Sequence, residues 1–265
     1  MKDEFYIGWS NDNPKAYTKL SKRFLVVVLV SFLLVASAFT LSENGFINSY
    51  FEFGHQHKET GFLVDTPVWA IVTKDSKMGT MKTIPMVGFG KFGPEQIVNK
   101  WFQENSDLKV GSEVSVKGTR FGYQNREWLE LTDQEKSLVS FSNQNKLSDR
   151  TMDQINSTSI CGEIVDPKCL FGVMNPADKA VHRSCAIRCI SGGNPPILAI
   201  RENGKFVDYF FLTGRDMEPV HQDILPYVGI PVQVEGLAHQ THGWKWLEMD
   251  NISIISSDSY SDLCR

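Results

Sequence analysis

The sequence predicts an all-β protein with short helices, built as two five-stranded barrels in tandem behind one N-terminal transmembrane helix. Three observations carry this prediction. Residues 24–41 form one uncharged apolar run. A hairpin-like segment near residue 120 recurs near residue 238. Around each copy, strand-like segments fall in the same order, with one helical stretch placed between the third and the fourth.

The apolar run reads FLVVVLVSFLLVASAFTL. As a helix its eighteen residues would extend about 27 Å, close to the hydrocarbon thickness of a bilayer. Lys15, Lys19, Lys22 and Arg23 precede it without an acidic residue among them. The positive-inside bias therefore holds segment 1–23 in the cytoplasm and sends everything after residue 41 outward. A cleaved signal peptide is the competing reading, since Ala36-Ser37-Ala38 has the small-x-small form of a cleavage site. The 23-residue lead, containing Phe5, Tyr6 and Trp9, is long for a signal peptide and favours an anchor. Either way the remainder is exported. A formal net charge of −4, with no basic block beyond the membrane flank, excludes nucleic acid as a partner.

The internal repeat lays VGSEVSVKGTRFGYQNREWLEL (110–131) on VGIPVQVEGLAHQTHGWKWLEM (228–249) without a gap, at a constant offset of 118. It pairs Gly118 with Gly236 and Trp128-Leu129-Glu130 with Trp246-Leu247-Glu248. Upstream, Gly61-Phe62-Leu63-Val64-Asp65 matches Gly162-Glu163-Ile164-Val165-Asp166 at an offset of 101. A repeat this long indicates a duplicated domain, not a solenoid. The expected domains are 45–142 and 158–257, joined by a linker at 143–157 and followed by a tail at 258–265. Each copy is expected to enclose its own core.

In the first copy, period-2 alternation marks strands at 60–65, 68–73 and 83–89, and a proline-initiated helix over 94–104 precedes the closing hairpin. In the second, strands at 160–165, 197–201 and 206–212 are followed by a short helix over 218–225 and the hairpin. Five strands with a helix between the third and fourth is the order of the OB-fold, so the barrels are read as OB-like. The copies differ after their first strand. Asp65 reaches the next strand within a few residues, whereas Asp166 reaches it only at Ile197. The loop between strands one and two, one of the ligand-bearing loops of OB-folds, is enlarged in the second copy.

That loop holds three of the chain's five cysteines. Residues 179–190, KAVHRSCAIRCI, contain no glycine or proline and stop before Ser191-Gly192-Gly193, as a helix would. On such a helix His182, Cys185 and Cys189 share one face, and Cys169 lies thirteen residues upstream of His182, able to fold back onto it. Three thiolates and an imidazole suit a closed tetrahedral zinc site, with an Fe–S cluster as the alternative. Disulfides from Cys169 to Cys185 or Cys189 are the rival outside the cytoplasm. A thiol-redox role is a third reading, weakened because Cys185 and Cys189 sit in the later turns of the helix, where the dipole disfavours a thiolate. Cys161 and Cys264 flank the second domain; a bridge between them would clasp its ends, a stabilisation of about 4–5 kcal/mol in the chain-entropy model.

His239 and His242 fall in the last hairpin and His55 and His57 near the membrane flank, all read as surface histidines. Glu163, Asp166 and Asp216 are plausible acids without a nucleophile or base beside them. No hydrolytic triad, phosphate loop or dinucleotide signature occurs.

Gly162-Glu163-Ile164-Val165-Asp166, Cys169, His182-Arg183 and Cys185 to Cys189, with Gly192-Gly193 and Pro195-Pro196 after them, form a G-E-I-V-D-x-x-C…H-R-x-C-x-x-x-C pattern. It resembles bacterial membrane-anchored envelope proteins of unassigned function, as does the opening Phe5-Tyr6-Ile7-Gly8-Trp9. The resemblance implies an inner-membrane protein with the bulk of its chain in the periplasm. The expected role is that of a non-catalytic accessory module, whose metal-stabilised Cys/His loop binds another envelope protein. The alternative is a redox or metal-handling subunit using the same cluster.

Overall fold

The computed structural model describes residues 15–43, 49–74, 79–123, 125–131, 137–145, 147, 153–174 and 176–256. The chain divides into two compact units, Met1–Phe46 and Ile47–Arg265. The first is helix α1 (Lys15–Glu43). Within it, 26 residues from Tyr17 to Ser42 are long and apolar enough to cross a membrane.

The second unit is mostly β and contains two closed five-stranded barrels. The first barrel uses β2 (His57–Val64), β3 (Ala70–Lys74), β4 (Met81–Gly88), β5 (Glu113–Tyr123) and β6 (Arg126–Leu131), with two short additions, β1 (Ser49–Phe51) and β7 (Leu138–Ser142), on β5. The circuit β5-β2-β3-β4-β6 closes through the antiparallel pair β5–β6, and its one parallel pairing is β4 with β6. The second barrel uses β8 (Asp153–Val165), β9 (Ile197–Glu202), β10 (Lys205–Thr213), β11 (Pro231–Thr241) and β12 (Trp244–Ile254). It repeats the same order, again with the third and fifth strands parallel. Strand β8 reaches back into the stretch read as linker. Cys264, the tail and the first fourteen residues of the N-terminal segment lie outside the described residues.

The repeat owes its glycine to a shared close approach. A Cβ on Gly118 would lie 2.5 Å from the Glu130 carbonyl oxygen, and one on Gly236 would lie 2.0 Å from that of Glu248. Both carbonyls belong to the partner strand of the same hairpin, where the backbones approach too closely for any side chain.

Helix α2 (Glu95–Glu104) begins after Pro94 and buries Ile97, Val98 and Trp101, one helical face, against the first barrel. Its counterpart in the second copy is not an α-helix. The expected helix over 218–225 is replaced by 3₁₀ turns at Arg215–Met217 and Leu225–Tyr227, with a single α-type bond from Ile224 N to Val220 O at 3.1 Å between them. Pro219 supplies no N–H, and Pro226 disfavours helical geometry at Leu225, so only one turn survives.

Each barrel encloses a core of its own. Leu63, Ile71, Met86, Val98, Trp101, Val116 and Leu131 fill the first, and Ile164, Ile190, Leu198, Val228, Val234 and Leu247 the second. A third cluster belongs to both barrels. Val87, Phe121 and Trp128 from one pack with Phe171, Tyr209, Phe211 and Trp244 from the other. Trp128 is fully buried at its centre, 5.8 Å from Phe171, 5.6 Å from Phe211 and 5.3 Å from Trp244 between ring centroids. Burying side chains of this size contributes roughly 1.5–3 kcal/mol each, so the joint is a substantial apolar contact in its own right. Phe171 comes from the enlarged loop, which thereby reaches across to the first barrel.

Candidate metal centre

The loop begins where β8 ends. Asp166 is fully buried, its Oδ2 accepting the Cys169 N–H at 3.0 Å and its Oδ1 accepting Asn194 Nδ2 at 2.9 Å. These bonds fold the chain into a π-helical turn, Cys169–Val173, with Leu170 N donating to Asp166 O at 3.0 Å. Helix α3 (Lys179–Ser191) follows and ends at Gly192 and Gly193, as its sequence predicts. Asn194 returns to the start of the loop, since its N–H donates to the Cys189 carbonyl at 3.1 Å while its side chain holds Asp166. The turn and the helix C-terminus are therefore tied by one buried asparagine.

This arrangement gathers all four residues singled out in the sequence, in two overlapping groups. Ligand atoms of Cys169, Cys185 and Cys189 all lie within 4.8 Å of one another, and so do those of Asp166, Cys169 and His182. Cys169 is common to both. In a tetrahedral zinc–thiolate centre sulfurs stand about 3.8 Å apart, from a bond of about 2.3 Å, so small adjustments would bring either group around an ion. Asp166 stands in the second group beside His182, although its sequence context shows no partner. The signal for it is the D-x-x-C spacing, which lets a carboxylate at a strand end accept the N–H three residues on and orient the thiol.

The chemistry of these atoms fits a metal. His182 is 3% exposed, and its Nε2 is buried without a hydrogen-bond partner. Burial lowers its pKa, against the opposing pull of Asp166, so the ring is held in the neutral form that ligates. The Cys169 thiol is pushed far up by its hydrogen bond with Cys189, by burial and by the Asp166 carboxylate. These effects disfavour a Cys169 thiolate, and a bound cation would oppose them. Cys169, Cys185 and Cys189 are free thiols; Cys161 is not among them, and its expected partner Cys264 lies outside the described residues.

Several residues that serve the cluster come from the first barrel and carry no local signal. Lys91 Nζ donates to Cys185 Sγ at 3.4 Å. Lys168 is buried, donates to the carbonyls of Gly88 at 3.0 Å and Gly90 at 2.7 Å, and pairs with the buried carboxylate of Glu130. Gly93 N donates to Gly192 O at 2.9 Å, where α3 ends. Arg183 donates to the Pro226 carbonyl at 3.0 Å. His239 stacks on Trp246 at 5.1 Å and His242 lies beside Thr83 at the far hairpin, so neither joins the cluster.

No family model and no curated protein matches the chain.

Proposed function

We propose that the protein is a membrane-anchored, extracytoplasmic accessory module whose Cys/His loop is closed by one metal ion, zinc by preference. The ligands are Cys169, Cys185, Cys189 and His182, with Asp166 orienting Cys169 and His182. The observation that carries the reading is the unpartnered, buried Nε2 of His182, grouped with Cys169, which itself joins the other two thiols, because burying such a nitrogen without a partner costs free energy that a metal bond would repay. Three sulfurs and one nitrogen leave a zinc ion no open position, which suits a structural role over a catalytic one. The charge flank of α1 supports an outward-facing second unit, and the resemblance to envelope proteins points to the periplasm and to another envelope protein as partner.

His182→Ala tests the ligand set. The variant is expected to retain at least tenfold less zinc against a competing chelator than the parent, while Cys161→Ser is expected to leave retention unchanged; equal retention by His182→Ala would remove the histidine from the site. Orientation is read by fusion. A reporter enzyme that works only outside the cytoplasm should be active after Arg265 and silent before Met1, and the reverse pattern would contradict the outward topology.

A further inference from the structure

On the barrel joint, away from the thiols, lies a cavity of about 140 Å³. Both barrels line it: Trp69, Met86 and Glu95 from the first, Leu212, Thr213 and His221 from the second. It has room for several waters or for one small organic group.

Its polar lining is mostly acceptor and includes the Asp65 carboxylate, which already accepts from Thr66 Oγ1 at 3.1 Å. Thr213 is 3% exposed, and its Oγ1 is buried without a partner. His221 Nε2 is likewise buried and unpartnered, and with the ring's proton on Nδ1 it offers a lone pair to the cavity. The Glu95 carboxylate joins them: its Oε2 would lie 3.0 Å from a Cβ on the same Gly193. Donors are scarce by contrast. Five lining residues are prolines (Pro67, Pro94, Pro195, Pro196 and Pro219), which offer no backbone N–H, and among the described residues no lysine or arginine lines the cavity.

We infer that this cavity is a binding site for a primary alkylammonium group. Its three N–H bonds meet three acceptors, the Glu95 carboxylate, His221 Nε2 and Thr213 Oγ1, while the alkyl stem lies along the prolines and Trp69. An alcohol would supply one donor for three acceptors, and an anion would face Glu95 with no cation to offset it. Burial raises the pKa of Glu95, and an incoming cation would oppose that shift. The site is independent of the metal reading, since it uses no thiol and no His182.

The test is titration of the full-length, detergent-extracted protein with n-butylammonium, followed by calorimetry and by the ligand's own NMR signals. Saturable binding is expected to weaken at least tenfold in Glu95→Gln and in the near-isosteric Thr213→Val, with butan-1-ol and butyrate failing to compete. Thermal melts of both variants establish that they fold, and either alone suffices for the comparison. A blocked tripeptide, acetyl-Ala-Lys-Ala-amide, separates sources: binding comparable to butylammonium assigns the site to a lysine of a polypeptide, and its failure beside successful butylammonium assigns it to a free small amine. Absence of saturable binding by either amine, equal binding of butan-1-ol, or undiminished binding by both variants would overturn the proposal and leave the cavity to water.

Discussion

Lys168 shows how much one side chain does at the joint. It immediately precedes Cys169, yet its ammonium lies against the first barrel, among the carbonyls of Gly88 at the end of β4 and Gly90 just beyond it and the Glu130 carboxylate. Lys168 and the Glu130 carboxylate are both buried, so the lysine places the start of the cluster loop on the neighbouring barrel. Lys168→Met would strand the Glu130 charge in a site only 4% exposed, a loss of about 3–5 kcal/mol. For a folded unit of this size that corresponds to a melting temperature lower by roughly 6–20 °C. Adding Glu130→Gln to Lys168→Met is expected to recover most of it, because the uncompensated charge and not the lost pair carries the penalty. A single variant melting with the parent protein would show that the pair carries no load.

At the scale of elements, what the sequence shows and what it conceals follow from range. Helix α3 is legible because every determinant is local: uninterrupted helix formers, then two glycines. The duplicated hairpin is legible because Gly118 and Gly236 answer the same backbone approach, so equivalent residues recur at one offset. The one-helix expectation over 218–225 fails for a local reason as well, two prolines whose effect outweighs the apolar spacing between them. Lys91 and Asn194 are different. Lys91 stands 94 residues from Cys185 and its contact exists only once the barrels dock. Asn194 looks like an ordinary loop residue until its side chain is seen bridging to Asp166 across 28 positions. The four cysteine and histidine positions are therefore readable from spacing, whereas the groups that orient them are products of tertiary structure.

For the whole molecule, the sequence conveys two barrels but not their shared core. Alternation marks which residues point inward, and Trp128 and Trp246 look equivalent in the repeat. Both lie in the shared cluster, but it is Trp128 that meets Phe171 of the enlarged loop. The loop thus brings thiols and the aromatic plug to one place, since Cys169 and Cys189 share the buried cluster of Phe171, and α3 and the π-helical turn hold them in fixed relation. Metal binding at the thiols would stabilise this geometry, since the free energy of closing the cluster is also free energy of ordering the loop. The account consequently stands or falls on the state of three sulfurs. The direct measurement is to denature purified protein anaerobically, with chelator and without reductant, then count released metal and titratable thiols together. The account predicts one metal per chain and three thiols, those of Cys169, Cys185 and Cys189. No metal and a single thiol would mean that two of these cysteines are bridged, that the loop is closed covalently, and that the metal centre does not exist.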